Sequence, residues 1–205
     1  MIKNIIFDWS GVIKDSIEDH LFVVNEIFTK FGANKISLIE LKENWKQPYM
    51  LFYNKYLPNL TLEQEMAAYK EAIMKSSSPR FYSGIVDLTK DLQRQGIKMV
   101  VVSSDLSETL LPEIDSFGLN NTFLDVVTEA HDKTIVMGDL IKKHNFNKSE
   151  TFVVGDSNHE IEAGQHIGIK TIAVTWGFTL EDRLITSNPD FIAHNLDELK
   201  NFCNQ

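Results

Sequence analysis

The chain has 205 residues, room for one ordinary domain or for a core carrying one inserted subdomain. Apolar residues make up 43% and charged residues 24%, which excludes a disordered chain, while a net charge of −9 with no Lys/Arg cluster longer than a pair excludes a surface built for nucleic acid or an anionic membrane. Cys203 is the only cysteine, so no intrachain disulfide forms, and no apolar stretch reaches about 18 residues; the expectation is a soluble cytoplasmic protein, as a monomer or a homodimer, with neither a nucleic-acid nor a membrane partner.

The first apolar run, Ile5–Phe7, predicts a short buried strand that delivers Asp8, Ser10 and Gly11 beyond its end. No strand pattern follows over residues 16–80. There "SIEDHLFVVNEIFTKFG" sets Leu21, Val24, Ile27, Phe28 and Phe31 on one helical face, with Gly32 as its stop. "SLIELKENW", "YMLFYNKYL" and "TLEQEMAAYKEAIMK" predict three more helices, the last capped at Thr61. "KSSSPRF", residues 75–81, breaks the periodicity and reads as the linker that closes this helical insert.

Runs rich in β-branched residues then recur at Ile97–Ser103, Phe123–Val127, Thr151–Gly155 and Lys170–Trp176, with a weaker one at Asp190–His194. Helical patterns at Ile85–Gln95, Leu106–Phe117, Lys133–His144, Ile161–Ile167 and Leu196–Phe202 separate them. Near-continuous apolar strands alternating with helices predict an α/β fold, a doubly wound parallel sheet covered on both faces. The expected organisation is an α/β core of residues 1–15 and 81–205, with an all-helical cap inserted at residues 16–80.

Ligands of open parallel sheets bind outside the carboxyl ends of the strands. The first strand brings Asp8 and Ser10 there, the second Ser103, Ser104 and Asp105, and the fourth Gly155, Asp156 and, one helical turn on, Glu160. Lys133 opens the helix before the fourth strand. Two carboxylates from different strands suit one hard cation held through oxygen, with Mg²⁺ the expected cofactor. The cation, Lys133 and Ser103 would orient a phosphoryl group that Asp8 attacks, giving an aspartyl-phosphate. Ser104 joins the expected phosphate-binding set through its backbone or serves as a cap.

In this order the residues resemble the haloacid dehalogenase superfamily. "FDWSGVIKDS" is similar to its first motif and "MVVVSS" to its second. Lys133 fits the third, and "VVGDSNHEIEAGQHIGIKTIAVTWG" is very close to the fourth. The insert resembles the helical cap of C1 type that this superfamily places after motif one. The resemblance implies a Rossmann-like core, Asp8 as nucleophile and a metal bound by Asp8, Asp156 and the Ser10 backbone carbonyl, with Glu160 in the outer shell. It further implies phosphate binding by Ser103 and Lys133, and a small phosphorylated metabolite as substrate, in the manner of the phosphoglycolate phosphatases.

Ser10 departs from the pattern. The superfamily's phosphatases carry an aspartate two residues after the nucleophile, a general acid and base whose loss typically slows a reaction by about 10²–10⁴-fold. A serine leaves that role empty and makes impaired turnover the expectation. The same residue, in "DWSG", makes a phosphonatase-like C–P hydrolase one alternative and a weakened phosphometabolite-binding or regulatory protein another. His20 stands where the superfamily's mutases carry a cap histidine, and otherwise reads as an exposed or capping residue. The aromatic stretch Trp45–Tyr56 reads as cap core or as a substrate lid.

Overall fold

The computed structural model describes residues 2–46, 48–75, 79–130 and 132–203. After β1 (Asn4–Phe7) the chain forms α1 (Ile17–Lys30), α2 (Leu38–Asn44), α3 (Met50–Tyr56) and α4 (Leu62–Ile73). It continues through α5 (Ile85–Arg94), β2 (Lys98–Val102), α6 (Ser107–Ser116), β3 (Asp125–Val127) and α7 (Lys133–Lys143). β4 (Thr151–Gly155), α8 (Asn158–Ile167), β5 (Lys170–Val174), α9 (Glu181–Thr186), β6 (Phe191–Ala193) and α10 (Leu196–Cys203) complete it. Two compact units result, Met1–Asp15 with Phe81–Gln205, and Ser16–Arg80.

The first unit is a parallel six-stranded sheet in the order β3-β2-β1-β4-β5-β6. Alternation along each strand explains why the runs are apolar throughout. Ile5, Phe7, Met99, Val101 and Val154 turn to one face, where Leu88 and Leu92 of α5, Ile114 of α6 and Leu199 of α10 cover them. Ile6, Val100, Val102 and Val153 turn to the other, against Met137, Leu140 and Ile141 of α7 and Ala163 of α8. Helices on both faces leave the sheet's carboxyl end as the open edge, and the strand order reverses beside β1.

The second unit is helical. Thr61 and Gln64 form a reciprocal capping box at the start of α4, and Ser37 caps α2 by accepting from the Glu40 amide. Val24, Ile27 and Phe28 of α1 are buried, as are Phe52 and Tyr53 of α3. Phe28 stacks on Phe52 at 6.0 Å and Trp45 leans on the same ring at 5.3 Å. The aromatic stretch is therefore largely this unit's own core. Leu21 and Phe31 are half-buried, and Val23 takes a buried place on the helix instead.

Two elements differ from the sequence pattern. α8 starts at Asn158 rather than Ile161, because Ser157 and Glu160 close a capping box that adds a polar first turn. α9 is unanticipated: its six residues bury only Leu184, too little to show a helical period. Ser76–Ser78 of the expected linker lie outside the described residues.

Candidate active site

Register brings the carboxylates together. Phe7, the last residue of β1, pairs with Val101 of β2 and Val154 of β4, so β2 and β4 end one residue beyond β1. Asp8 leaves β1 with its amide still bonded to the Val154 carbonyl (3.0 Å), and Asp156 emerges just beyond β4. Glu160 comes back to the same place from the first turn of α8. Asp8, Asp156 and Glu160 each offer an oxygen within 4.8 Å of the others. All three are buried, at 7%, 2% and 3% exposure, and so is Lys133 at 4%.

Each group is held by its neighbours. Asp8 accepts from the Trp9 amide at Oδ1 (2.7 Å) and faces Lys133 Nζ at Oδ2 (2.8 Å). Lys133 also reaches Glu160 Oε1 at 2.6 Å, while Glu160 Oε2 accepts from the Ser157 amide (3.1 Å) and hydroxyl (2.5 Å). The Phe178 amide donates to Asp156 Oδ2 at 2.6 Å. Gly11 and Gly177 press on Asp156 so closely that a Cβ on either would lie 2.1 Å from Oδ2. Gly11 also has φ +82, a conformation that other residues rarely adopt. Both positions require glycine.

Three buried carboxylates lie together and one lysine pairs with two of them, and their protonation shows the excess charge. Burial, joined by the charge of Glu160, raises Asp8 to about 7 against the pull of Lys133. Burial and then the charges of Asp8 and Glu160 raise Asp156 well above the carboxylate range. Burial opposes ionisation of Glu160 too, but Lys133 together with hydrogen bonds from His159, Lys133 and Ser157 holds it well below its usual value. Lys133 stays charged because Asp8 and Glu160 outweigh its own desolvation. A compact, all-oxygen, over-negative cluster is the donor set that a hard divalent cation fits.

The serines lie on the neighbouring strand end. Ser103 is buried and its hydroxyl accepts from the Asp105 amide at 3.1 Å. Ser104 is exposed and its hydroxyl donates to the Ala130 carbonyl at 3.0 Å. Ser10 Oγ donates to Asp105 Oδ2 at 2.6 Å. Within the helical unit, His20 stands edge-on to Trp45 at 4.5 Å, and desolvation lowers it to about 4.

Several partners had no signal in sequence spacing. Trp9 donates its indole N–H to Glu113 Oε2 (2.9 Å), and Lys14 reaches Glu113 Oε1 (2.5 Å), 99 residues away in the chain. The Ser10–Asp105 bond spans 95 residues. Gly177 alone carried a hint, a glycine just past a strand end.

An α/β core with a helical insert and a carboxylate cluster at its carboxyl edge is the architecture of a hydrolase family, and sequence comparison agrees. Residues 5–174 match the family model described as haloacid dehalogenase-like hydrolase, and the chain belongs to that family. A phosphoglycolate phosphatase of Vibrio parahaemolyticus is 24% identical over 97% of this chain and 94% of its own length. The pyrophosphatase PpaX of Halalkalibacterium halodurans is 32% identical over 58% of this chain and 57% of its own. Among solved structures, a haloacid dehalogenase-like family hydrolase of Streptococcus pneumoniae superposes with a TM-score of 0.82 at 20% identity, covering 98% of both chains. A hydrolase of Pseudomonas syringae reaches 0.82 at 15% identity, again over 98% of each. At these identities the structural likeness speaks for the fold alone.

Proposed function

We propose that the protein is a Mg²⁺-dependent phosphatase of a small phosphorylated metabolite, acting through an aspartyl-phosphate on Asp8. The observation that carries this reading is the buried set of Asp8 and Asp156, just beyond β1 and β4, with Lys133 and Glu160 from the first turns of α7 and α8. Asp8, Asp156 and the Ser10 backbone carbonyl would hold the metal, with Glu160 behind them. When bound, the metal supplies charge neutralisation for the phosphoryl oxygens and keeps Asp8 ionised.

The chain's own residues account for the rest. Lys133 holds the Asp8 carboxylate in place and presents its remaining N–H to the phosphoryl group. Ser103, with the backbone of the loop after β2, binds another phosphoryl oxygen. Asp8 attacks phosphorus, the ester oxygen leaves, and water then releases phosphate from Asp8. The full-length likeness to phosphoglycolate phosphatases favours a small phosphate ester that carries a second anionic group as substrate. A screen of phosphorylated metabolites, with 2-phosphoglycolate and pyrophosphate included, tests the reading by phosphate release. Mg²⁺-dependent release that Asp8→Asn abolishes is expected. No release from any ester, p-nitrophenyl phosphate included, contradicts it.

A further inference from the structure

We infer that Ser10 and Asp105 act as a relay: through the Ser10 hydroxyl, the Asp105 carboxylate takes the proton of the water that attacks phosphorylated Asp8. The inference rests on the function proposed above and fills the place that Ser10 leaves without a carboxylate.

Geometry supplies the argument. Ser10 is two residues beyond Asp8, and its hydroxyl donates to Asp105 Oδ2 at 2.6 Å, within the short range of an O–H bond to an anionic oxygen. Asp105 comes from the loop after β2, the strand beside β1, and two backbone bonds fix it. Its amide donates to Ser103 Oγ (3.1 Å), and its carbonyl accepts from the Glu129 amide (2.9 Å). Glu129, which donates that amide, has a left-handed backbone, φ 56, uncommon for a non-glycine residue. Glu113, which also reaches the loop after Asp8, is already engaged by Trp9 and Lys14. Asp105 is half-buried, so a proton it accepts can leave to solvent.

The step balances. A water O–H bond breaks and its proton passes to Ser10 Oγ, while the Ser10 proton passes to Asp105 Oδ2. The water oxygen bonds to phosphorus, the bond between phosphorus and the Asp8 oxygen breaks, and its electron pair restores the Asp8 carboxylate. Inorganic phosphate departs, and Asp105 returns its proton to bulk water.

Rapid-quench kinetics with p-nitrophenyl phosphate isolates this step, because nitrophenolate leaves without needing a proton. In the unmodified protein a burst of nitrophenolate should precede slower breakdown of the phosphoenzyme. Asp105→Asn, which keeps the side chain's shape, should retain the burst and slow the breakdown by about 10²-fold, the low end for a positioned base. Ser10→Ala should lose about as much, and the double variant little more, as expected of two groups acting as one unit. Breakdown rates in mixtures of light and heavy water should bow for the unmodified protein, with two protons in flight, and fall on a straight line for Asp105→Asn. A purely structural role would not change that curvature. Breakdown within twofold of the unmodified rate in Asp105→Asn, or losses that add in the double variant, overturns the relay. Absence of any phosphoenzyme in the unmodified protein overturns instead the Asp8 reading beneath it.

Discussion

Lys133 Nζ lies 2.8 Å from Asp8 Oδ2, and the same ammonium touches Glu160 at 2.6 Å. One cation thus ties the residue after β1 to the first turn of α8, across β4. Removing it strands two buried carboxylates. Lys133→Met should cost about 3–5 kcal/mol, the usual penalty for orphaning a buried charge. For a chain of this size that lowers the melting temperature by roughly 10 °C. Thermal melts should show the loss, with part of it restored by millimolar Mg²⁺. A melt unchanged by the substitution would mean that the cluster relaxes without its lysine.

Cation binding should expel protons. Asp8 is raised to about 7 and Asp156 well above its usual range, so below neutrality a proton competes with the metal for the same oxygens. Affinity for Mg²⁺ should therefore rise as pH goes from 5.5 to 7.5, by up to tenfold per unit for each proton displaced. Calorimetry in two buffers of different ionisation enthalpy reads the proton count directly. Asp156→Ala should weaken binding at every pH. A pH-independent affinity would mean that the carboxylates are ionised before the metal arrives.

The glycines around Asp156 give a steric test. Gly177→Ala sets a Cβ 2.1 Å from Asp156 Oδ2, so the carboxylate must swing away and give up the Phe178 amide. Mg²⁺ binding should fall at least tenfold with the fold retained by circular dichroism. Gly138 on α7 is the control, since a methyl group there would meet no atom within 4 Å. Gly138→Ala should stabilise by about 0.5–1 kcal/mol, through helix propensity alone, and leave binding intact.

The helical unit carries a pH response of its own. Burial raises Glu65 to about 7, with Tyr53 pulling the other way, and Glu65 is only 3% exposed. Between its ordinary value and about 7 the folded chain holds a proton that the unfolded chain has lost. Stability from this group is thus full below about pH 4.5 and is lost as pH rises through 7. Taken whole, the shift is worth about 3 kcal/mol. Glu65→Gln should remove that slope from melting temperatures measured between pH 5 and 8. An identical slope in both proteins would place the titration elsewhere.

The sequence made the frame of this protein readable because its signals are periodic or local. "NIIF", "KMVVV" and "TFVVG" are apolar throughout because both sheet faces are covered, and strand-end positions follow once those runs are found. Asp8, Asp156, Glu160 and Lys133 were therefore legible as a group from element order alone. What lay beyond reach depends on side chains meeting across the fold. Nothing in "SSDLSE" shows that Asp105 turns toward Ser10, or that Glu113, inside an amphipathic helix, is claimed by Trp9 and Lys14. α9 stayed hidden because a six-residue helix burying one leucine leaves no pattern. Ser10 read alone is a missing acid; beside Asp105 it is half of a hydrogen-bonded pair.

On the proposed reading Asp8 should carry the phosphoryl group during turnover. The protein should be mixed with p-nitrophenyl phosphate and Mg²⁺, quenched in acid within the first turnovers and digested for mass spectrometry. The peptide containing Asp8 should gain the mass of one phosphoryl group. Hydroxylamine should strip that gain, as it does from an acyl phosphate, and Asp8→Asn should never acquire it. Sustained nitrophenol release with no phosphoryl group on Asp8 at any quench time, or release that survives Asp8→Asn, would mean that Asp8 is not the nucleophile.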